Sequence, residues 1–150
     1  LALEVNPCSV ILRTSWVYSE FGKNFVKTML NLFATKDELN IVADQFGQPT
    51  NANDLAEAIM KIIKSEKITP GIFNFSNLGR ISWFDFAEKI AGLSEAKIKL
   101  NAIETSQYPT PAKRPKNSVL DLDKISKTYA IQLKPWEESL EDCVQILQNN

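Results

Sequence analysis

Apolar and polar residues follow one another along the chain in short blocks that predict strands and amphipathic helices. Residues 9–18 are rich in β-branched and aromatic side chains, and residues 9–16 predict a buried strand. Three further apolar runs, at residues 39–43, 72–76 and 98–103, are strand candidates of similar length. The pattern therefore predicts three or four strands, unevenly spaced between helices.

Helices are predicted where apolar residues recur at helical spacing behind a capping residue. Asn24 is the candidate N-cap of the first helix, and Asn53 is the candidate cap of the second, over residues 54–64. Ser82 and Asp85 have the spacing of a capping box, which predicts a third helix. Two more helices follow towards the end of the chain, over residues 121–129 and from about Pro135 onward.

The alternation of helices with short strands predicts the α/β class, or an α+β lobe if the chain is considered in isolation. A length of 150 residues is typical of one domain, so residues 1–150 are expected to form a single one. Residues 104–117 contain three prolines, which exclude a helix or a central strand there.

Composition excludes several classes of protein. The formal net charge is −1 and no basic stripe is present, which argues against a nucleic-acid partner. No apolar run approaches the roughly 18 residues of a membrane span, so no membrane partner is expected. Two cysteines, Cys8 and Cys143, are too few for a disulfide framework, which favours a cytoplasmic protein. Histidine is absent, which removes the commonest general base and the commonest metal ligand.

The residues needed for reductase chemistry are not found in this chain. Its five glycines are too widely spaced for a dinucleotide-binding turn. None of the three tyrosines is followed four residues later by a lysine, so no tyrosine–lysine acid pair is present. We therefore expect no catalytic residue, no bound cofactor and no metal in this chain. Because it opens without methionine and reaches a strand almost at once, we expect it to be part of a longer protein.

Two loops have the composition of a ligand-binding surface. Residues 44–50 place polar groups on a backbone restrained by glycine and proline, and residues 108–117 carry Lys113, Arg114 and Lys116 on a proline-rich turn. The guanidinium of Arg114 suits a diphosphate, although a solvated basic loop is an equally simple interpretation. Trp16 lies at the end of the predicted strand 9–16, and its indole is compatible either with a core position or with a ligand contact.

A series of motifs in fixed order resembles the family of dTDP-4-dehydrorhamnose reductases, which are extended short-chain dehydrogenases/reductases. These motifs cover nearly the whole chain, and each is weak alone although together they are specific. They are RTSWVY (13–18), GxNFVKTML (22–30), DQxGxPT (44–50), DLA (54–56), GIFNFSN (71–77), SWxxFA (82–87), YPTPAxRPxxS (108–118) and PWxxSL (135–140).

The resemblance implies a function for the parent protein. Members of the family reduce the 4-keto group of dTDP-6-deoxy-L-lyxo-4-hexulose to dTDP-L-rhamnose with NADPH or NADH. The dinucleotide-binding Rossmann half that carries the cofactor turn and the tyrosine–lysine pair has no counterpart in this sequence. The chain is thus expected to be the C-terminal, substrate-binding lobe, with a dTDP-sugar as its ligand. Mg²⁺ and a homo-oligomeric assembly of the parent stay open.

The resemblance also implies roles for individual residues. Trp16 corresponds to a tryptophan that packs against the sugar, and Arg114 becomes a contact to the diphosphate or nucleoside. Asn24, Gln45 and Thr50 become pocket-lining candidates, each of which is also compatible with a purely structural role. Two alternatives remain: another sugar-nucleotide epimerase or reductase of the same superfamily, and a non-catalytic subunit like the regulatory subunit of methionine adenosyltransferase.

Overall fold

The structure, a computed structural model, describes residues 1–112 and 114–149. In this part of the chain the helices are α1 (Ala2–Val5), α2 (Phe25–Phe33), α3 (Ala52–Ile63), α4 (Trp83–Leu93), α5 (Asp123–Tyr129) and α6 (Trp136–Gln148). The strands are β1 (Val10–Arg13), β2 (Val17–Tyr18), β3 (Glu38–Val42), β4 (Phe46–Gly47), β5 (Thr50–Asn51), β6 (Gly71–Asn74), β7 (Ile81–Ser82) and β8 (Lys99–Ile103).

The strands form four two-stranded sheets within the described residues. Strand β1 pairs with β6, β2 with β5 and β3 with β8, all in parallel, whereas β4 and β7 are antiparallel. Helices lie between the paired parallel strands, because a parallel connection must cross over from one end of the sheet to the other. This arrangement confirms the predicted α/β class.

The predicted number of strands, three or four, is too low. The four predicted strands correspond to β1, β3, β6 and β8, but four more are present in the described residues. Each of the additional strands is two residues long. Two residues show no alternation of polar and apolar positions, so a pattern search cannot find them. Helix α1 was not predicted either, while the other helix boundaries agree to within two residues.

Helix caps were predicted correctly in two cases and wrongly in one. The side chain of Asn24 accepts a hydrogen bond from the Lys27 N–H, and the Ser82 capping box is complete. Asn53, in contrast, is not a cap. Asn51 occupies that position and accepts a hydrogen bond of 2.8 Å from the Asn53 N–H, because the helix begins two residues earlier, at Ala52.

The segment 104–117 is less irregular than its prolines indicate. A 3₁₀ turn covers Thr105–Gln107, just before the first proline. At the other end of the segment Asn117 forms an isolated parallel bridge with Phe46. Both ends are therefore tied to secondary structure, and the proline-rich middle lies between them.

Two apolar clusters hold these elements together. In the first, helices α2, α4 and α6 pack around side chains such as Phe86, Ile90 and Leu140, which are fully buried. In the second, α3 and α5 cover β6 around Phe73 and Ile125. Trp16 packs against the first cluster, which therefore supports the candidate site.

Strand β1 leaves one edge without a partner among the described residues, since β6 is its only neighbour there. Its residues Val10, Ile11 and Leu12 are only partly buried, although fully parallel sheets are normally covered on both faces. We therefore expect the chain to self-associate, with a light-scattering mass that rises with concentration. Ile11→Lys should reduce this rise by placing a charge on the strand. A constant monomeric mass at high concentration would contradict the prediction.

Candidate functional site

The candidate site lies where the loops after β1 and β3 meet. Trp16 follows the carboxyl end of β1, and residues 43–50 follow β3. A hydrogen bond of 3.2 Å from the Thr50 N–H to the Trp16 carbonyl joins the two loops. The carboxyl ends of parallel strands are the usual location of ligands in α/β proteins, so this junction is a suitable place for one.

The indole of Trp16 is partly buried and is fixed by two neighbours. It stacks on the ring of Trp83 with centroids 3.6 Å apart and planes 13° from parallel. Its six-membered ring also lies directly on the backbone of Gly47, where an added Cβ would come within 2.5 Å of the Trp16 Cε2. Only glycine therefore fits at position 47, and the aromatic ring has a defined orientation beside the loop.

Thr50 and Asn24 use their polar side chains on the protein itself. Thr50 is fully buried, and its hydroxyl donates to the Ser15 carbonyl at 2.7 Å. The Asn24 amide donates to the carbonyls of Ser19 and Phe21 while its oxygen caps α2. Thr50 thus holds the segment that carries Trp16, whereas Asn24 holds the turn before α2.

Gln45 lies at a junction between the loops after β3 and β8. Its amide donates to the Thr105 hydroxyl at 3.0 Å. The neighbouring Asp44 accepts hydrogen bonds from the Thr105 hydroxyl and N–H. The Thr105 hydroxyl above all, together with its N–H and the charge of Lys116, outweighs desolvation and lowers the pKa of Asp44 below its ordinary value. The ionised carboxylate of Asp44 is therefore favoured, and it lies beside the loop that carries Lys113, Arg114 and Lys116 in the sequence, here called the basic loop.

The basic loop is anchored next to the same strand that supports Trp16. The Phe46 N–H donates to the Lys116 carbonyl at 2.9 Å, and the Ser118 N–H donates to the Phe46 carbonyl at 2.8 Å. Arg114 is exposed near this anchor, whereas Lys113 lies outside the described residues. The two loops that the sequence identified separately, at 44–50 and 108–117, are therefore neighbours in the fold.

Two residues of this region were missed by the analysis of the sequence. Trp83 was interpreted only as part of a capped helix, yet it provides the stacking partner of Trp16. Arg80 places its guanidinium 3.7 Å from the centre of the Phe46 ring, in a cation–π contact on the strand next to the basic loop. Neither pairing has a local signal, because both join residues that are more than 30 positions apart.

A buried polar network around Asp54 is tied to β5, the strand at the end of the 44–50 loop. The Asp54 carboxylate accepts hydrogen bonds from the Asn77 amide at 2.6 Å and from the Ser139 hydroxyl, and it lies 3.0 Å from the Lys134 ammonium. Burial alone would raise the pKa of Asp54, but the hydrogen bonds from Ser139, Asn77 and Lys134 outweigh it and lower the pKa. Asn77 in turn accepts the Asn51 N–H at 2.8 Å, which ties the network to β5.

Burial favours the protonated form of two ionisable side chains deeper in this part of the protein, Tyr18 and Cys143. Burial is the main cause that raises the pKa of the Tyr18 hydroxyl far above its ordinary value. Burial likewise raises the pKa of the Cys143 thiol to about 11. The Tyr129 hydroxyl donates to the Thr69 carbonyl at 2.7 Å, far along the chain from the candidate site.

Two clefts, of about 930 and 580 Å³, are formed mainly by α3 and by α3 with α6. None of the five candidate residues lines either cleft. The candidate site is therefore defined by the contacts between its loops and not by a cleft.

Among the described residues, no group of three or more acidic, cysteine or histidine side chains is arranged to hold a metal ion. In that same part of the chain, no helix has the length and apolar composition needed to cross a bilayer.

Solved structures with the same fold include reductases of one family. A dTDP-4-dehydrorhamnose reductase from Clostridium acetobutylicum superimposes with a TM-score of 0.90 at 40% identity, covering 97% of this chain and 51% of that one. A UDP-glucuronic acid 4-epimerase from Bacillus cereus, at 17% identity and a TM-score of 0.75, shares the fold. The α/β lobe described above is thus one found in extended short-chain dehydrogenases/reductases.

Similarity in sequence indicates the same family. A dTDP-4-dehydrorhamnose reductase from Sinorhizobium fredii is 48% identical over 143 residues, which are 89% of this chain and 48% of that protein. The chain spans about half the length of the curated relatives it matches. The model of the RmlD substrate binding domain matches residues 2–149. This chain therefore belongs to the RmlD substrate-binding domain family.

Proposed function

We propose that this chain binds the sugar nucleotide in a dTDP-4-dehydrorhamnose reductase. The whole protein would reduce the 4-keto group of a dTDP-linked 6-deoxyhexose by transfer of a hydride from NADPH or NADH, with a proton delivered to the resulting alkoxide. The role of the chain would be to hold the sugar so that its keto carbon meets the hydride, which is catalysis by positioning. Such a reaction belongs in the cytoplasm, where reduced nicotinamides are available.

The observation that carries this proposal is the match of the family model to residues 2–149, together with an oriented indole at the expected place. Trp16 offers an apolar ring that can pack against a sugar. Arg114, exposed on the loop beside β4, offers a planar fork for the diphosphate. Gln45 joins the loops after β3 and β8 through its hydrogen bond to Thr105, so it can hold the loop that faces the ligand.

The sequence predicts no bound cofactor in this chain, because its glycines are too widely spaced for a dinucleotide-binding turn. The glycines of the described residues do not form a phosphate-binding turn: Gly47 lies under an indole, and Gly79 lies under the ring of Trp136. A dTDP-4-dehydrorhamnose reductase from Bacillus anthracis is in complex with NADP, and this chain covers 48% of it. We propose that the cofactor is bound by the part of the whole protein outside this match.

Binding of the sugar nucleotide provides the test of this function. Isothermal titration should show that the chain binds dTDP-rhamnose and binds UDP-glucuronic acid more weakly. The two ligands differ in both base and sugar while the diphosphate is the same, so the comparison controls for simple attraction of phosphate to basic residues. Equal affinity for the two, or no affinity for dTDP-rhamnose, would contradict the proposal.

The isolated chain should show no reductase activity. It has no tyrosine–lysine acid pair and no glycine-rich turn for the dinucleotide. Oxidation of NADPH in the presence of the keto-sugar nucleotide should therefore stay at the background rate. Measurable turnover by the purified 150-residue chain would show that the active groups are present after all.

A further inference from the structure

We propose that Thr50, Gly47 and Trp83 are positioning residues that fix the Trp16 indole before the ligand arrives, an inference that rests on the proposed function. None of the three needs to touch the ligand. Thr50 holds the backbone of Trp16, Gly47 lies on its six-membered ring, and Trp83 stacks on the indole. The indole therefore has one fixed orientation in which to meet a ligand.

The backbone of Trp16 needs such support because its φ angle is +48°. This left-handed conformation is unfavourable for a side chain with a Cβ and persists only where the surroundings impose it. Thr50 supplies two of the restraints: its N–H donates to the Trp16 carbonyl and its hydroxyl donates to the Ser15 carbonyl. The Ser15 hydroxyl donates to the Gln48 carbonyl at 2.6 Å, which closes the connection between the loops.

The loop that carries Thr50 is itself held from two sides. The Gln48 side chain accepts a hydrogen bond of 2.8 Å from the Leu120 N–H. The Asn77 N–H donates to the Pro49 carbonyl at 3.1 Å. Thr50 is completely buried, and these two hydrogen bonds fix the loop that carries it. The hydrogen bonds from Thr50 therefore hold the backbone of Trp16 in place.

The ring is restrained independently of the backbone. Trp83 covers one face at 3.6 Å, and Trp83 is supported in turn by Phe25, whose ring centre lies 4.7 Å away. Gly47 lies on the six-membered ring, where any Cβ would collide with the Trp16 Cε2 and Cζ2 atoms. An indole that is already ordered loses less conformational freedom on binding, so a preorganised ring gives higher affinity for the same contact area.

The orientation of the indole can be measured by NMR without any ligand. The ring protons of Trp16, assigned by comparison with Trp16→Phe, should be shifted upfield by the ring current of Trp83. Thr50→Val should remove most of this shift, and Thr50→Ser, which keeps the hydroxyl, should retain it. Gly47→Ala should also remove this shift, because the added Cβ would displace the indole from Trp83. Thr28→Val is the matched control, since Thr28 is exposed on α2 and its hydroxyl donates only to the Asn24 carbonyl.

Affinity for dTDP-rhamnose provides the second measurement on the same proteins. Thr50→Val should bind roughly tenfold more weakly, as expected when a contact group is misplaced, while Thr50→Ser and Thr28→Val should bind like the unmodified chain. An unchanged upfield shift in both Thr50→Val and Gly47→Ala would overturn the positioning role. If the shifts change as expected but the unmodified chain binds no dTDP-rhamnose, the proposed function fails while the restraint on Trp16 stands.

Discussion

Trp16→Ala should weaken the binding of dTDP-rhamnose far more than it destabilises the fold. Packing of the indole on a sugar contributes through dispersion and burial of apolar surface, about 1–3 kcal/mol if largely desolvated. For the proposed activity of the whole protein, this corresponds to roughly one to two powers of ten in kcat/KM. Titration calorimetry on the chain and steady-state kinetics on the whole protein would each measure the loss.

The stability of the same variant decides between a binding role and a core role. Trp16 is only partly buried and packs on the edge of the first apolar cluster. Its loss should therefore cost less than the roughly 3–5 kcal/mol that is typical when a core tryptophan is cut to alanine. Trp136 provides the comparison, because it is 6% exposed inside that cluster and Trp136→Ala should cost the full amount. A large loss of stability in Trp16→Ala with unchanged binding would place Trp16 in the core.

Asp54→Ala should give one of the largest losses of stability among polar substitutions in the protein. It leaves the buried Asn77 amide and Ser139 hydroxyl without their acceptor and removes the partner of Lys134. Unsatisfied buried donors and a broken ion pair together cost about 2–4 kcal/mol. Urea unfolding would measure the free energy. Asp123→Ala removes a carboxylate from an exposed ion pair with Lys127 and should have little effect.

The same network should govern part of the acid sensitivity. The pKa of Asp54 is lower in the folded protein than its ordinary value of 3.8, so the carboxylate stabilises the fold above that value. This contribution is lost as the pH falls through the lowered pKa of the folded state. We therefore expect Asp54→Asn to show a smaller fall in unfolding free energy below about pH 4 than the unmodified protein. Equal falls in the two proteins would show that Asp54 is not the group responsible.

The sequence by itself was sufficient for the elements that depend on local chemistry. The helix cap at Asn24 and the capping box at Ser82 were confirmed, since each joins residues within one helical turn. The four longer strands were found from their apolar runs, and the order of the motifs identified the family that the comparisons later supported. The absence of a glycine-rich turn and of a tyrosine–lysine pair was also evident from spacing alone.

Only the tertiary structure decided which distant residues meet. The sequence places Thr50 in a polar loop. In the fold it is buried, and it donates hydrogen bonds to the carbonyls of Ser15 and Trp16. Asn51 rather than Asn53 caps α3, because its amide also donates to the Ser139 carbonyl, 88 residues away. The stacking of Trp16 on Trp83 likewise joins two segments without a shared pattern. Local propensity is encoded within a few residues, whereas these contacts depend on how whole helices and strands pack.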